Sequence, residues 1–375
     1  MHTPAFVARW QERLVDGLYE EVRADAGRPR LSIALVAAYA VAGLVHVFTL
    51  ALIVCGVLLI LTFSLFPMVF GAILLGFAWL LFPRPDKLPE DLETLDRARA
   101  PRLFDLLDEV ADRASSPRVH MVMISGRVNA SVRTYGWRRR RYLEIGYPLW
   151  QVLTPQERVA LLGHEFGHFS NGDTRRSLVV GTALDALTSL HRTASPAQSR
   201  AFDGIAFLAV IVVNTFWWVI RRLVEALTFL LGLATYRASQ RAEYYADVTA
   251  ARVAGTSAAS GLLDALVTRG SITESYVYLR ALHSGDDFWE RLEQRIAEAP
   301  EEELERLRAE DRAGGKRIDQ SHPPTHLRHS HVAALPYEEG VVSASGMDAV
   351  DAELAPSGAR MILWLREWGK SALRH

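Results

Sequence analysis

The longest pattern in the chain is an almost unbroken apolar run from Leu31 to Phe82, without a single Asp, Glu, Lys or Arg; His46 is its most polar residue. One bilayer-crossing helix needs roughly 20 apolar residues, and this run is more than twice that. It predicts two spanning helices joined by a tight turn, near Cys55–Gly56 or around Ser64–Pro67. The run is too long, and starts too late, for a cleaved signal peptide. Ahead of it, residues 1–30 space Phe6, Val7, Trp10, Leu14, Leu18 and Val22 as an amphipathic helix would.

Beyond the breaker Pro83-Arg84-Pro85 the periods change. Leu88 to Ala114 reads as a helix with Leu95, Leu103, Leu106, Leu107 and Val110 on one face. Val119–Ile124, Val128–Tyr135 and Tyr142–Gly146 read as strands, with Gly136-Trp137 and Arg138 to Arg141 as a hairpin tip. Thr154-Pro155-Gln156-Glu157 opens a helix: Thr154 caps, Pro155 takes the first position and Glu157 completes a capping box. That helix runs to about Phe169, and Asn171-Gly172-Asp173 separates it from another, Arg176 to His191. Gly204 to Ala234 is apolar apart from a polar break containing Arg221-Arg222, which suits a long helix partly in the membrane. Helix continues over Tyr236–Val253, then over a charged stretch, Trp289–Arg312, and last over Arg360–Leu373.

The fold class expected is mainly α with some β (α+β): a transmembrane helical hairpin and a mostly helical domain with a small sheet. The organisation expected is an N-terminal segment 1–30, two membrane helices over 31–82, a mixed domain over 83–330 with an apolar helical insertion at about 204–235, and an extension over 331–375. The net charge is only −1 over 375 residues, so nothing points to nucleic acid. The single cysteine, Cys55, excludes a disulfide within the chain.

Candidate chemistry centres on His164-Glu165-Phe166-Gly167-His168. On a helix, residues four apart lie on one face with Cβ atoms about 5–6 Å apart, so His164 and His168 can grip one Zn²⁺. Glu165 does not compete for that position and can reach the water as general base. A third protein ligand is expected. Glu243 and Asp247, four apart in Glu243-Tyr244-Tyr245-Ala246-Asp247, are the candidates: one to bind metal, the other to orient a ligand. A histidine cluster follows in Ser321-His322-Pro323-Pro324-Thr325-His326-Leu327-Arg328-His329-Ser330-His331. His326, His329 and His331 read as surface residues.

Taken together, these segments resemble the HtpX-like and CAAX prenyl endopeptidase family of integral-membrane zinc peptidases. The likeness rests on Asn129-Ala130-Ser131, on Leu143–Gly146 running through the His164–His168 motif to Asn171-Gly172-Asp173, on Glu243–Asp247, and on Ser321-His322-Pro323-Pro324 with Arg328. It covers about residues 84–330. The resemblance implies a zincin-like (gluzincin) zinc metallopeptidase domain over residues 83–330, one Zn²⁺ per chain on His164, His168 and Glu243, and catalysis by Glu165 and His322. It implies positioning roles for Asp247, Arg328 and Asp173, and an edge strand at Asn129, Ala130 and Ser131 that holds extended substrate. The partners implied are a peptide or protein substrate, drawn from misfolded or membrane-associated proteins, and the lipid bilayer. A prenyl-protein protease would need more spanning helices than this chain supplies. An inactive scaffold of the same fold would have no need to retain Glu165.

Arg23, Arg28 and Arg30 precede the apolar run, and Arg84, Lys87, Arg97, Arg99 and Arg102 follow it, with no basic residue between. The positive-inside rule then puts both ends, and the catalytic domain, in the cytoplasm. A cysteine placed at Arg139 should react with an impermeant thiol reagent only from the cytoplasmic side of the membrane. Labelling solely from outside intact cells contradicts this orientation.

Overall fold

The structure, a computed structural model, describes residues 13, 15–23, 33–84, 86–170, 177–193, 205–283, 285–314 and 322–372. The chain divides into two compact units. One combines Arg30–Arg84 with Asp173–Ala238; the other combines Met1–Pro29, Pro85–Gly172 and Ser239–His375.

The first unit is helical. Helices α1 (Ile33–Ile60) and α2 (Leu65–Leu81) form a hairpin. Its turn lies just ahead of Pro67, at Leu61–Ser64, so of the two places the sequence allows the later one is used. Gly56 lies inside α1, where a Cβ on the facing Gly71 would fall 2.7 Å from its carbonyl oxygen. The missing side chains let the two backbones touch. Helix α1 is long and apolar enough to cross a membrane, whereas α2 has 17 residues and reaches only about 26 Å at 1.5 Å per residue. The outer surface is apolar: Ile33 is 90% and Phe66 86% exposed. A surface of that kind needs a non-aqueous neighbour. A π-helical turn, Ser177–Gly181, leads into α3 (Thr182–Thr193), and His46 donates to the Val179 carbonyl of that turn at 3.1 Å. The 50-residue helix α4 (Ile205–Ala254) starts in this unit and ends in the other. Arg222 pairs with Glu225 at 2.8 Å, one turn along α4.

The second unit carries a four-stranded sheet in the order β1 (Glu93–Leu95), β2 (Met121–Ser125), β4 (Arg140–Gly146), β3 (Ala130–Tyr135). Only β2 and β4 run parallel. Val122, Ile124, Leu143 and Ile145 point from one face into the core, where they meet Leu103, Phe104 and Leu107 of α5 (Pro101–Arg113) and Leu162 and Phe166 of α6 (Pro155–Ser170). Among the described residues β3 is left as a free edge.

Three expectations change. The helix expected from Leu88 begins only at Pro101, because Asp96 Oδ1 accepts the N–H groups of Ala98 and Arg99 at 3.1 and 3.0 Å. That turn frees Glu93–Leu95 to pair with β2. The charged stretch breaks at Pro300 into Phe288–Ala297 and Glu301–Ala313, since proline has no N–H to continue a helix. The last helix, α7 (Met347–Ala372), is about twice the expected length. Its Val350, Leu354, Met361, Ile362 and Leu365 belong to the main core, so residues 347–372 are no appendage. Glu353 accepts the first N–H groups of α5, from Arg102 at 2.8 Å and Leu103 at 3.0 Å, filling the role of an N-terminal cap. Asp351 takes both the Arg158 guanidinium, at 2.6 Å, and the Trp150 indole, at 3.0 Å.

Leu354→Ala should therefore destabilise the whole second unit by about 2–5 kcal/mol, the usual range for a buried leucine, measured by denaturant unfolding in detergent. A loss near zero contradicts the placement of α7 in the core.

Candidate metal and catalytic site

Small residues set the site. Gly163 and Gly167 of α6 face Ala250 and Ala246 of α4. A Cβ on Gly167 would fall 2.8 Å from the Ala246 Cα, and one on Gly163 3.1 Å from the Ala250 Cα. The helices cross with their backbones in contact, and the side chains beside the crossing converge. His164 Nε2 lies 3.3 Å from His168 Nε2 and 3.6 Å from Glu243 Oε2, while His168 Nε2 is 3.6 Å from Glu243 Oε1. A tetrahedral zinc site with bonds of about 2.1 Å has ligand–ligand edges of about 3.4 Å. The donor set, two imidazoles and a carboxylate, fits that ion in chemistry and in spacing.

Behind the donors lies a buried ion pair. Arg328, on α8 (Thr325–Ala333), donates Nε to Asp247 Oδ2 at 2.8 Å and Nη2 to Oδ1 at 2.7 Å. The Asp247 Oδ1 atom is also 2.9 Å from His164 Nδ1. A proton on that nitrogen, donated to Asp247, leaves the Nε2 lone pair free toward His168 and Glu243. His322 Nδ1 lies 2.7 Å from Glu243 Oε2, and Arg328 Nη1 lies 3.7 Å from the same oxygen.

These neighbours divide the three buried carboxylates. Burial pushes Glu243 up, but His322, Arg328 and the two histidines outweigh it and hold the carboxyl at about 2. Burial likewise opposes ionisation of Asp247, and the Arg328 charge and hydrogen bonds overcome it, so the group stays well below the ordinary carboxylate range. Glu165 has no such partner. Burial raises it, and His164 and His168 offset only part of that rise. Glu243 and Asp247 are thus held as anions, while burial makes Glu165 hold a proton more readily than an ordinary carboxyl.

Glu165 Oε2 accepts the Val132 N–H at 3.2 Å. The Gly146 N–H bonds the Asn129 carbonyl at 2.8 Å. With the alternation of an antiparallel ladder, Ser131 and Arg133 turn their main-chain groups to β4, and Ala130, Val132 and Thr134 turn theirs to the free edge. Of the three residues expected to hold substrate, Ala130 is the one whose backbone faces outward. The link from β3 to Glu165 was invisible in the sequence, because any residue type can supply a backbone N–H.

The histidine cluster separates into distinct roles. His322 alone reaches the donor set. His326 meets Asp311 at 3.2 Å and His329 meets Ser260 at 3.0 Å. His331 is not a surface residue: it is buried against Tyr244, 5.4 Å between rings, because positions 328, 331 and 332 form the inner face of α8. Asp173 lies outside the described residues.

The sequence model of peptidase family M48 matches residues 97–335. The chain belongs to peptidase family M48. That match contains every residue of the site described above, from Asn129 to His331, and stops short of α7. Three relatives, each described as a protease HtpX homolog, come from Pyrobaculum species. Identity is 30% over 165 residues for Pyrobaculum calidifontis, 27% over 165 for Pyrobaculum aerophilum and 28% over 164 for Pyrobaculum islandicum. Each alignment covers 42% of this chain and 44% of the relative, so the chain spans less than half the length of the curated relatives it matches. No solved structure matches.

Removing one partner of a buried ion pair leaves an uncompensated charge. Arg328→Ala should cost about 3–5 kcal/mol of stability, measured by unfolding in detergent, with Arg328→Lys restoring part of it. A loss below about 1 kcal/mol, the scale of an exposed pair, contradicts the buried-pair reading.

Proposed function

We propose that this M48 peptidase is a membrane-anchored zinc endopeptidase, with one Zn²⁺ held by His164, His168 and Glu243. The observation that carries the reading is the convergence of those donors beside a buried Glu165 that stands outside the set. When bound, Zn²⁺ lowers the pKa of a coordinated water toward ~7 and polarises the scissile carbonyl.

The chain's own residues do the rest. Glu165 takes a proton from the attacking water and delivers it to the leaving amine; its raised pKa suits a group that must both accept and release. Asp247 holds the His164 ring, and Arg328 keeps Asp247 ionised. Glu243, held down at about 2, remains an anion across the working pH range. An extended substrate adds to the free edge of β3 through the outward backbone groups of Ala130, Val132 and Thr134. Because Val132 also donates to Glu165, a peptide on that edge lies next to the base. The His322 side chain is 52% exposed, open to a substrate on the outer side of Glu243. It donates to the carbonyl oxygen as negative charge builds there, and Asn129 and Ser131 flank the path of the peptide. The hairpin of α1 and α2 anchors the enzyme, with the catalytic unit on the cytoplasmic side and misfolded or membrane-associated proteins as substrates.

Glu165→Gln should retain zinc and lose cleavage of casein or a quenched peptide. Zinc content by elemental analysis beside the turnover rate decides it, and either lost zinc or preserved turnover removes Glu165 from the role. His322→Ala should lower kcat by about 10²–10³, as for loss of one preorganised donor, with KM and zinc nearly unchanged. Normal kcat ends the donor role, and lost zinc makes His322 a ligand.

A further inference from the structure

A cavity of about 460 Å³, away from the metal-binding donors, lies between the second face of the sheet and α7. Register decides which side chains face it. Glu144 is level with Ser131 and Met123, and Tyr142 with Arg133 and Met121, so Tyr142, Glu144 and Arg133 share this face. Ser125, two residues past Met123, points the same way. Trp364 of α7 forms the facing wall. Gly126 admits it, since a Cβ there would come 2.5 Å from the Trp364 ring.

The polar groups are sorted by depth. Glu144 is 7% exposed and Ser125 2% exposed. The Ser125 hydroxyl has no hydrogen-bond partner, and among the described residues no cation or donor side chain pairs with the Glu144 carboxylate. The residue is buried but its unpartnered carboxylate opens on the cavity, where a cation would be favoured. Arg127, beyond Ser125, and Arg133, level with Tyr142, are exposed, and among the described residues neither is paired with an acid. The lining therefore offers Glu144 to a cation, an aromatic wall, and two guanidinium groups suited to a carboxylate, with Asp91 also on its rim.

We propose that this cavity binds a short peptide by its two free ends. The ammonium meets Glu144 and the Ser125 hydroxyl, an apolar side chain packs on Trp364 and Tyr142, and the carboxylate meets Arg127 and Arg133. An internal stretch of a longer chain has neither terminus and leaves the buried carboxylate unpaired, so the cavity discriminates against it. Short peptides with two free ends are what exhaustive peptide-bond hydrolysis releases. That last link alone rests on the zinc-peptidase reading; the binding does not.

The test is calorimetric titration of the purified full chain in detergent with leucyl-leucine, its N-acetyl derivative and its C-terminal amide. Leucyl-leucine should bind. N-acetylation and Glu144→Gln should each weaken binding at least tenfold, and together no more than either alone, since both remove one contact. The amide and the double change Arg127→Gln with Arg133→Gln should behave as a second such pair. Binding should persist in His168→Ala, which disables the metal-binding donors. If Glu144→Gln fails to give a cooperative melt, Trp364→Ala supplies the arm that removes the wall without touching charge, and it too should weaken binding. Absence of binding overturns the proposal, as does equal affinity for the acetylated peptide. Loss in His168→Ala with retention in Glu144→Gln places the peptide at the metal-binding donors and overturns it as well. An inactive wild-type protein ends the zinc-peptidase reading and leaves this titration untouched.

Discussion

Two backbones touch where α6 crosses α4, and the geometry of the site follows from that contact. With glycine at 163 and 167 against alanine at 250 and 246, the helices approach until Gly167 has room for no side chain at all. His164 and His168 ride on one helix and Glu243 and Asp247 on the other, so the crossing fixes the distance between the two pairs of side chains. A single added methyl at Gly167 would have to open a backbone-to-backbone contact, and separation of the donors would open with it. Interiors this dense transmit such shifts rather than absorb them.

Close packing brings an electrostatic problem, because it buries Glu243, Asp247 and His164 together and half-buries His168 beside them. Each uncompensated buried ion costs several kcal/mol. Arg328 answers most of that cost through its fork on Asp247, and its other amino group lies near Glu243. The arginine comes from a separate helix, α8, whose inner face also carries His331 and Val332 into the core. One cation thereby fixes an orienting acid, and through it a histidine ring. It leaves Glu165, which it does not touch, as the acid whose proton affinity is set by burial. The division of labour among three carboxylates comes from where one guanidinium sits.

Much of this is legible in the residues. His164-Glu165-x-x-His168 states its own helical spacing, and Glu243 with Asp247 repeats it four apart. The small residues at 163, 167, 246 and 250 are equally readable as a close helix contact, although the histidines draw the eye first. The first apolar helix is plain from composition alone. What the sequence hides is of two kinds. Backbone groups, such as the Val132 N–H on Glu165, carry no residue signature. Tertiary pairing overrides local pattern elsewhere: Glu93–Leu95 has helical periodicity yet completes a sheet, and the weakly patterned segment after residue 331 becomes a core helix because Leu354 and Ile362 meet α5 and its neighbours. Its Glu353 even serves as the cap that α5 lacks in its own sequence.

The central claim is a ligand set, so the most direct test looks at the ligands. X-ray absorption at the zinc edge of the purified, zinc-loaded protein should give only nitrogen and oxygen neighbours at ~2.0–2.2 Å. The outer-shell scattering should correspond to two imidazoles, falling to one in His168→Ala. A sulfur neighbour at ~2.3 Å, which only Cys55 or a methionine can supply, or a spectrum without imidazole scattering, would contradict the site built from His164, His168 and Glu243.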